Sequence, residues 1–340
     1  MKATHLPTEP EILTTTVGSY SSIEWLSASP SEQAMIDATS AVIHTQKRAG
    51  IDLPTDGELY RFDPNHPETN GMIDYFVSRM GGVRTEIGRT DSAAFSAKTE
   101  TGFRRKPAGV VEAAITEGTL DLPTACDRSA SVADGPLKFT VTSPFMLARM
   151  LLDLHYENVE ALTMAIADCL AGQMGDLEVA CVQIDEANVP GNPEYASIAQ
   201  AGINRVLDSI VGESAVHFCF GNYGGQSVQS GDWEPLIEFL DGLKANHLLL
   251  EIAHRPDTDL EALKEVGDHL AIGVGVIDIK VNHIETPDEV ASRIETAVKI
   301  FGPDRVRWVH PDCGFWMLKR SVADRKIVAL VEGRDEFLGL

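Results

Sequence analysis

Short apolar segments alternate with amphipathic segments along most of the chain. CVQIDEA, AVHFCFGN and HLLLEIA are apolar runs of strand length, and polar or glycine residues bound each of them. The segments between such runs, for example NVEALTMAIADCLAGQMG, repeat apolar residues at helical spacing. Buried strands that alternate with amphipathic helices are typical of a parallel sheet covered by helices.

Eight strands follow from this alternation. They are predicted near residues 12–17, 52–56, 137–143, 181–186, 215–220, 247–252, 271–278 and 305–310. Helices are predicted near residues 31–48, 158–175, 194–211, 233–244, 259–267, 287–301 and 320–333. Eight short strands that alternate with helices predict an α/β fold, a closed (β/α)8 TIM barrel, with residues 1–340 as a single domain.

One stretch interrupts the alternation. Residues 60–136 lie between the second and third predicted strands and are too long for an ordinary connection. Within this stretch, GGVRTEIG and GVVEAAITEGTL have the pattern of two strands, and RFDPNHPETNGM has the pattern of an ordered loop. We therefore expect an insertion with an extra hairpin at 60–136.

The charge of the chain excludes two classes of partner. The 340 residues include 51 acidic and 28 basic side chains, which gives a formal net charge of −23. Such a surface repels nucleic acid and anionic membranes, so we expect neither as a partner. No apolar run approaches the ~18 residues of a membrane-spanning helix, and the polar start MKATHLPTEPEILTTTVGSY has no signal-peptide core.

Cysteine usage indicates the compartment. The five cysteines, at positions 126, 169, 181, 219 and 313, are odd in number and widely scattered. In a chain of this size that pattern favours a reducing compartment over a disulfide framework. We therefore expect a cytoplasmic protein in which grouped cysteines bind metal or take part in catalysis.

Several side chains with metal-binding chemistry lie at predicted strand ends, where the chemistry of such barrels is located. His217 and Cys219 end the fifth strand, and because they are two residues apart their side chains share a face. Glu251 ends the sixth strand, and Cys313 ends the eighth. One imidazole, one carboxylate and two thiols form a ligand set that suits Zn²⁺. The alternative is that each is an ordinary core residue, as a lone histidine or cysteine in a strand usually is.

These residues stand in motifs that resemble a known family. The segments TTTVGSYSSIEWL, PTDGELYRF, VQIDEANVP, VHFCFGN, LLLEIA, IGVGVIDIKVNHIETPDEVASRI and VHPDCGF follow, in order, the C-terminal catalytic half of cobalamin-independent methionine synthase. The resemblance covers about residues 11–335. It implies a (β/α)8 barrel and a zinc-dependent methyltransferase whose zinc ion is bound by His217, Cys219, Glu251 and Cys313.

The resemblance also implies a substrate, the thiol amino acid homocysteine, which would be methylated to methionine. By motif, its amino-acid end would be held by Gly18 and Ser19 of the first strand, Glu58 of DGE and Asp185 of IDE. Carboxylates suit an ammonium group, and main-chain N–H groups suit a carboxylate. The alternative is that Glu58 and Asp185 pair with nearby basic residues such as Arg61.

Two other residues are weak candidates for a proton carrier. Full-length relatives have a histidine in a DIH motif near the end of the seventh strand. In VIDIKVNHIET that position is Lys280, and His283 follows three residues later. A catalytic role for Lys280 or His283 is one interpretation, and a salt-bridged lysine is the other.

The methyl donor is left open by the sequence. The N-terminal barrel that helps full-length enzymes hold a folate polyglutamate tail has no counterpart in these 340 residues. The donor is therefore either methyltetrahydrofolate, as in 5-methyltetrahydropteroyltriglutamate–homocysteine S-methyltransferase, or a methylated corrinoid, which short relatives can take from a protein. Arg104, Arg105 and Lys106 form a basic triplet that either meets an anionic tail or is a solvated loop.

Two further activities are compatible with the same motifs. A zinc-dependent alkyl transferase of the same superfamily, of the epoxyalkane–coenzyme M type, would use another thiol to open an epoxide. A third possibility is a closed structural zinc site without catalysis. Coenzyme M has a sulfonate and no ammonium group, so it would gain nothing from Glu58 and Asp185, and a closed site would not respond to an added thiol.

Overall fold

Seven parallel strands form the main sheet of the computed structural model, which describes residues 4–63, 69–98, 104–222 and 231–340. In these ranges the strands are β1 (Leu13–Thr14), β2 (Gly81–Arg84), β3 (Gly109–Thr116), β4 (Lys138–Thr142), β5 (Leu151–Asp153), β6 (Cys181–Glu186), β7 (Glu213–Phe218), β8 (His247–Leu250), β9 (Ala271–Ile277) and β10 (Val306–Pro311). The main sheet has the order β1-β10-β9-β8-β7-β6-β4. Its strands match seven of the eight predicted ones, so the parallel α/β fold is confirmed.

The predicted second strand, 52–56, is not part of this ladder. Leu53 makes an isolated parallel bridge to Thr15, and Thr55 makes one to Lys138. Thr15 follows β1 and Lys138 begins β4, so the segment contacts both edges of the main sheet. Pro54 has no N–H group to donate, which weakens regular strand pairing at this point.

Helices follow most strands of the main sheet. They are α1 (Glu24–Ala28), α2 (Glu32–Ala49), α3 (Asp74–Val77), α4 (Arg89–Lys98), α5 (Leu122–Ser131), α6 (Pro144–Arg149), α7 (Val159–Met174), α8 (Ala196–Leu207), α9 (Ile237–Asp241), α10 (Asp257–Ala262), α11 (Pro287–Phe301) and α12 (Arg320–Leu338). Neighbouring helices pack in pairs, α7 on α8, α11 on α12 and α12 on α2. Within the described ranges, no helix combines the length and the apolar character that crossing a bilayer requires.

Local capping signals explain why several helix bounds agree with the prediction. At the start of α11, the Thr286 hydroxyl accepts from the Glu289 N–H and the Glu289 carboxylate accepts from the Thr286 N–H. Helix α2 begins at Ser31, whose hydroxyl accepts from the Ala34 N–H, and ends at Gly50 with φ of 92°. Helix α8 has no side-chain cap and is shorter than predicted, whereas α12 extends beyond its predicted end to residue 338, where Gly339 in the left-handed conformation ends it.

The main sheet is curled. Leu13 of β1, Cys181 of β6 and Leu249 of β8 belong to one small buried cluster, although β1 and β6 lie near opposite ends of the strand order. A larger apolar core joins the strands to the surrounding helices and includes Val42 of α2 and Ile294 of α11. The polar residues at the carboxyl ends of the strands are therefore held by packing on both sides of the sheet.

A second sheet has the order β2-β3-β5. Strands β2 and β3, which lie within 60–136, pair antiparallel, and β5 pairs parallel with β3. Strand β5 and the preceding helix α6 were not predicted. Helix α6 has six residues and strand β5 has three, and segments this short show no periodicity that a sequence pattern can reveal.

A buried ion pair joins the first strand, the 52–56 segment and the last helix. Arg334 of α12 donates from Nη1 to the Ile12 carbonyl at 2.9 Å and to Asp52 Oδ2 at 2.7 Å. The same Asp52 oxygen accepts from the Thr14 N–H at 2.7 Å. Because these contacts connect segments about 320 residues apart in sequence, they stabilise the edge of the main sheet.

Arg334→Met is expected to lower the free energy of unfolding by about 3 kcal/mol, because the Asp52 carboxylate loses its cation. Arg325→Met is the matched control, since Arg325 is exposed on the same helix, and should change the stability by less than about 0.5 kcal/mol. Urea unfolding followed by circular dichroism measures both values. Equal effects of the two substitutions would contradict the role given to Arg334.

Candidate active site

A cavity of about 840 Å³ opens at the carboxyl end of the main sheet. Its walls include the predicted site residues Gly18, Ser19, Glu58, Asp185, His217, Cys219 and Cys313. These residues follow or end four different strands and the 52–56 segment. Parallel strands present their carboxyl ends on one side of the sheet, which explains why residues so distant in sequence share one cavity.

Three of the four predicted metal ligands lie together in the wall of this cavity. One nitrogen of His217 and the sulfur atoms of Cys219 and Cys313 all lie within 4.8 Å of one another. His217 Nδ1 lies 3.1 Å from the Leu249 carbonyl of the neighbouring strand β8, and this contact fixes the ring. Within the described ranges, His217 Nε2 is buried and has no hydrogen-bond partner.

The surroundings of His217 and Cys219 favour the uncharged forms of both side chains. Burial, assisted by the nearby His310, moves the pKa of His217 well below its usual value, so the imidazole is neutral. The contact with the Cys313 thiol, together with burial, moves the pKa of Cys219 well above its usual value. A neutral imidazole nitrogen and two sulfurs form a soft donor set for a metal cation, and a cation would favour the thiolate forms.

Glu251, the fourth predicted ligand, has different neighbours. Its buried carboxylate forms an ion pair with Lys280 through Oε1, which also lies 3.3 Å from His254 Nε2. The other oxygen, Oε2, accepts from the Phe220 N–H at 2.7 Å. Burial and the nearby Asp312 raise the pKa of Glu251. The structure therefore brings Glu251 next to the cysteines without adding its oxygens to the group of three.

We call the surroundings of His217, Cys219, Cys313 and Glu251 the corner. Two further residues of the corner were not identified from the sequence. Asp312 Oδ2 lies 2.9 Å from His254 Nδ1, and Asp312 Oδ1 accepts from the N–H groups of Ile252 and Ala253. His254, Asp312 and Glu251 form a second group with closely spaced ligand atoms. The only signals in the sequence were adjacency, since Asp312 directly precedes Cys313 and His254 follows Glu251 by three residues.

Glu58 and Gly18 form another part of the cavity wall. The Glu58 carboxylate accepts from the Thr140 hydroxyl and forms an ion pair with Arg61 at 3.3 Å, so the alternative pairing with Arg61 is present for Glu58. A Cβ atom on Gly18 would clash with Glu58 Oε1, which explains the glycine at this position. Burial raises the pKa of Glu58 although Arg61 opposes the shift.

Asp185 is not in such direct contact with a cation, although the charges of Arg61 and Lys138 act on it. It pairs in register with His217 across β6 and β7, and its Oδ1 accepts from Gln183 Nε2 at 2.6 Å. Burial and the Coulombic effect of Glu58 raise the pKa of Asp185 to about 8. Within the described ranges, Asp185 forms no ion pair. A cationic group that entered the cavity would therefore favour loss of the Asp185 proton and could pair with the carboxylate.

The two candidate proton carriers occupy different environments. Lys280 contacts Glu251 in the corner, in agreement with the interpretation of Lys280 as a salt-bridged lysine. The side chain of His283 is 58% exposed and lies 3.1 Å from Glu289 Oε2 at the start of α11. His283 is not part of the cavity wall, so the structure does not bring it to the other predicted site residues.

The basic triplet lies in the cavity wall, together with an aromatic surface. Arg104 donates to Asp74 Oδ1 at 2.9 Å, whereas Arg105 and Lys106 are exposed and form no ion pair within the described ranges. Trp316, three residues after Cys313, also lines the cavity, and it stacks on the ring of Phe62 at 5.5 Å. Trp316 was not identified from the sequence, because an aromatic residue next to a motif usually packs in the core.

Comparisons with known proteins identify the family of this chain. A profile of the family described as "Cobalamin-independent synthase, Catalytic domain" matches residues 7–334. The methionine synthase of Saccharolobus solfataricus is 28% identical over 342 residues, covering 95% of this chain and 94% of that protein. The methionine synthase of Thermococcus kodakarensis is 29% identical over 345 residues, covering 95% of this chain and 93% of that protein.

A solved structure has the same fold. The B12-independent methionine synthase from Shewanella sp. W3-18-1, in complex with selenomethionine, superposes with a TM-score of 0.78 at 22% identity. The superposition covers 97% of this chain and 100% of that chain. The profile match extends over nearly all of the sequence and includes each predicted site residue. The chain therefore belongs to the cobalamin-independent synthase catalytic-domain family and is a methyltransferase of that family.

Proposed function

We propose that this protein transfers a methyl group to the sulfur of homocysteine and so forms methionine, with a zinc ion at His217, Cys219 and Cys313. The observation that carries the proposal is the grouping of one nitrogen of His217 with the sulfur atoms of Cys219 and Cys313 within 4.8 Å, in the wall of a cavity that also contains Asp185. His217 Nε2 is buried and has no hydrogen-bond partner in the described part of the chain. Membership of the family and the names of the relatives point to the same activity.

The residues of the corner fit zinc. A histidine that ligates zinc usually donates its other ring N–H to a carbonyl or carboxylate, and His217 Nδ1 has the Leu249 carbonyl at 3.1 Å for this purpose. Nitrogen and sulfur donors suit zinc better than the hard cations calcium and magnesium. Glu251 stays the predicted fourth ligand, because its charge acts on Cys219, but its ion pair with Lys280 opposes a bond between its carboxylate and the ion.

The amino-acid end of homocysteine is assigned to the other polar wall of the cavity. Its ammonium group would pair with Asp185, assisted by Glu58, and its carboxylate would meet the main chain and hydroxyl of Gly18 and Ser19. Asp185 and His217 are paired in register on neighbouring strands. The side chain of a bound amino acid would therefore extend from Asp185 along the wall that leads to His217.

The chain's own groups prepare the thiol for attack. When zinc is bound, it lowers the pKa of a thiol that reaches it, so that the thiol loses its proton near neutral pH. The corner is buried, with 1% exposure of His217 and 4% of Cys219, which limits the access of water. The sulfur would then form a bond to the methyl carbon while the bond between that carbon and the donor breaks. The bonding electron pair stays with the donor, and a methyltetrahydrofolate donor takes up a proton at the nitrogen that loses the methyl group. Because Cys219 and Cys313 are negatively charged ligands, they preserve the electron density that this attack requires.

The methyl donor is proposed to be a planar molecule with anionic groups, of the methyltetrahydrofolate class. Trp316 and Phe62 supply a flat surface, and Arg105 and Lys106 supply two cations without ion-pair partners in the described part of the chain. A methylated corrinoid, free or bound to a protein, is the second candidate for the donor. The cations favour the first candidate because it is the more anionic at its flexible end.

The fold is proposed to be a closed (β/α)8 barrel over residues 1–340, with 60–136 as an insertion that includes a hairpin. The isolated bridges of Leu53 and Thr55 support closure, because they join both edges of the curled sheet. The antiparallel pairing of β2 with β3 supports the pairing of the two predicted strands, although helix α4 lies between them in sequence where a hairpin would have a short turn. We also propose a cytoplasmic location, since Cys219 and Cys313 must stay reduced to bind a metal.

The alkyl transferase alternative is not favoured. A sulfonate thiol such as coenzyme M would bring a negative charge to a wall that already contains the carboxyl groups of Glu58 and Asp185. A closed structural metal site is also not favoured, since Cys219 and Cys313 line an open cavity of about 840 Å³. Catalytic zinc sites keep such an accessible position, whereas structural sites do not.

The zinc site is tested by removing single ligands. The purified protein should contain about one zinc ion per chain, and Cys219→Ala should weaken zinc binding by at least about 100-fold, more than the loss of an outer partner usually does. Cys181→Ala is the matched control, since Cys181 is a buried strand cysteine outside the cavity. Mass spectrometric metal analysis after dialysis measures the content. Full zinc in Cys219→Ala would contradict the assignment.

The amino-acid site is tested by the pH dependence of methionine binding, because methionine has no thiol to titrate. The pKa of Asp185 is about 8, so below that pH a proton must leave before the carboxylate pairs with the ammonium group. The dissociation constant should therefore fall as the pH rises from about 6 to about 8. In Asp185→Asn the affinity should be lower and this dependence weaker, as calorimetry would measure. An unchanged dependence in the variant would contradict the role of Asp185.

The donor site is tested by reversing one charge. Arg105→Glu should raise the KM for a methyltetrahydrofolate with several glutamates by about threefold to tenfold, and that for methylcobalamin much less. Arg325→Glu changes the net charge equally and lies outside the cavity, so it should leave both values unchanged. Steady-state kinetics with the zinc-loaded protein measures the constants. Equal effects of Arg105→Glu on the two donors would contradict the proposed donor.

A further inference from the structure

The Glu251 carboxylate is held by Lys280 and the Phe220 N–H, and a histidine from a third part of the chain lies close to it. Lys280 contacts Oε1 as an ion pair, His254 Nε2 lies 3.3 Å from the same oxygen, and the Phe220 N–H donates to Oε2 at 2.7 Å. The carboxylate is fully buried, and the Lys280 side chain is only 10% exposed. A contact between opposite charges that is shielded from water in this way is stronger than a surface ion pair.

Lys280 itself is fixed by a buttressed loop. Its N–H donates to Asp278 Oδ1 at 2.8 Å, and the Asp278 N–H donates to Glu285 Oε1 at 2.9 Å. The buried ammonium group of Lys326 pairs with Glu285 at 2.8 Å and also donates to the Asp278 carbonyl at 2.8 Å. The position of the Lys280 ammonium group beside Glu251 is therefore determined by the loop after β9 and by helix α12.

We propose that Lys280 is a positioning residue that competes with the metal ion for the Glu251 carboxylate. This inference rests on the proposed zinc site and goes beyond it. Glu251 has one negative charge, and both the ammonium group of Lys280 and a metal cation at Cys219 would be attracted to it. Because the two cations repel each other, the closer Glu251 is held to Lys280, the less it contributes to metal binding.

The consequence is an accessible position at the metal. With Glu251 held by Lys280, the protein supplies a histidine and two cysteines, which leaves a fourth position for the sulfur of a substrate. Three protein ligands with one open position are the usual arrangement of a catalytic zinc site. Lys280 would thus keep the site open to a thiol and at the same time reduce the affinity of the protein for zinc.

The test measures zinc affinity by competition with a chromophoric chelator, using the full chain without donor or homocysteine. Lys280→Met should bind zinc at least about tenfold more tightly than the wild type, because Glu251 is then free to bind the ion. The size of the change is that of removing a partner of a metal ligand, although such a removal usually weakens metal binding. Lys280→Arg keeps the cation and should stay within about threefold of the wild type. Lys299→Met removes an exposed lysine that pairs with Glu295 on α11, so it controls for net charge and should have no effect.

A double-substitution cycle tests whether the effect passes through Glu251. Glu251→Gln should weaken zinc binding by less than about threefold in the wild type, and by at least about tenfold in the Lys280→Met background. Cobalt(II) spectra give a second readout, since an added carboxylate ligand in Lys280→Met should change the visible bands and reduce their response to homocysteine. If Lys280→Met does not fold, as judged by circular dichroism, Lys280→Gln takes its place.

Two kinds of result would overturn the inference. Unchanged or weaker zinc binding in Lys280→Met, with tight binding in the wild type, would refute the competition while leaving the proposed zinc site intact. Equal effects of Glu251→Gln in both backgrounds would do the same. Absence of zinc binding by the wild type would refute the proposed metal site and this inference together.

Discussion

The strands of the main sheet all run in the same direction, and the site depends on this constraint. Parallel pairing sets Asp185 beside His217, and His217 beside Leu249, whose carbonyl lies 3.1 Å from the histidine ring. The curl of the sheet then turns the ends of its strands toward one cavity. A shift of one residue in any of these registers would move a functional side chain to the opposite face of its strand.

Much of the fold was predictable because its periodicity is regular and its helix ends carry capping residues. Helix α11 has the bounds that the sequence predicted, and its capping box at Thr286 and Glu289 explains why. The 52–56 segment shows the limit of this reasoning. Its apolar character predicts a strand, but Pro54 prevents regular pairing, and only the tertiary structure reveals single bridges to both sheet edges. Strand β5 was missed because it is three residues long.

The site was predictable as a list of residues and less so as a set of contacts. The spacing of His217 and Cys219 places both side chains on one face, and Cys313 joins them as expected. The partner of Glu251 was not predictable, because Lys280 lies 29 residues away in sequence and the choice between a metal ion and an ammonium group is made by side-chain packing. The same packing places His283 beside Glu289, away from the cavity, although it follows Lys280 by only three residues.

The central claim is that His217, Cys219 and Cys313 hold one zinc ion that a substrate thiol can reach. X-ray absorption at the zinc edge of the purified protein measures the neighbours of the metal directly. We expect two sulfur neighbours at about 2.3 Å, with the remaining neighbours nitrogen or oxygen, and a third sulfur neighbour after homocysteine is added. A zinc ion without sulfur neighbours, or one whose sulfur count stays unchanged with homocysteine present, would contradict the claim.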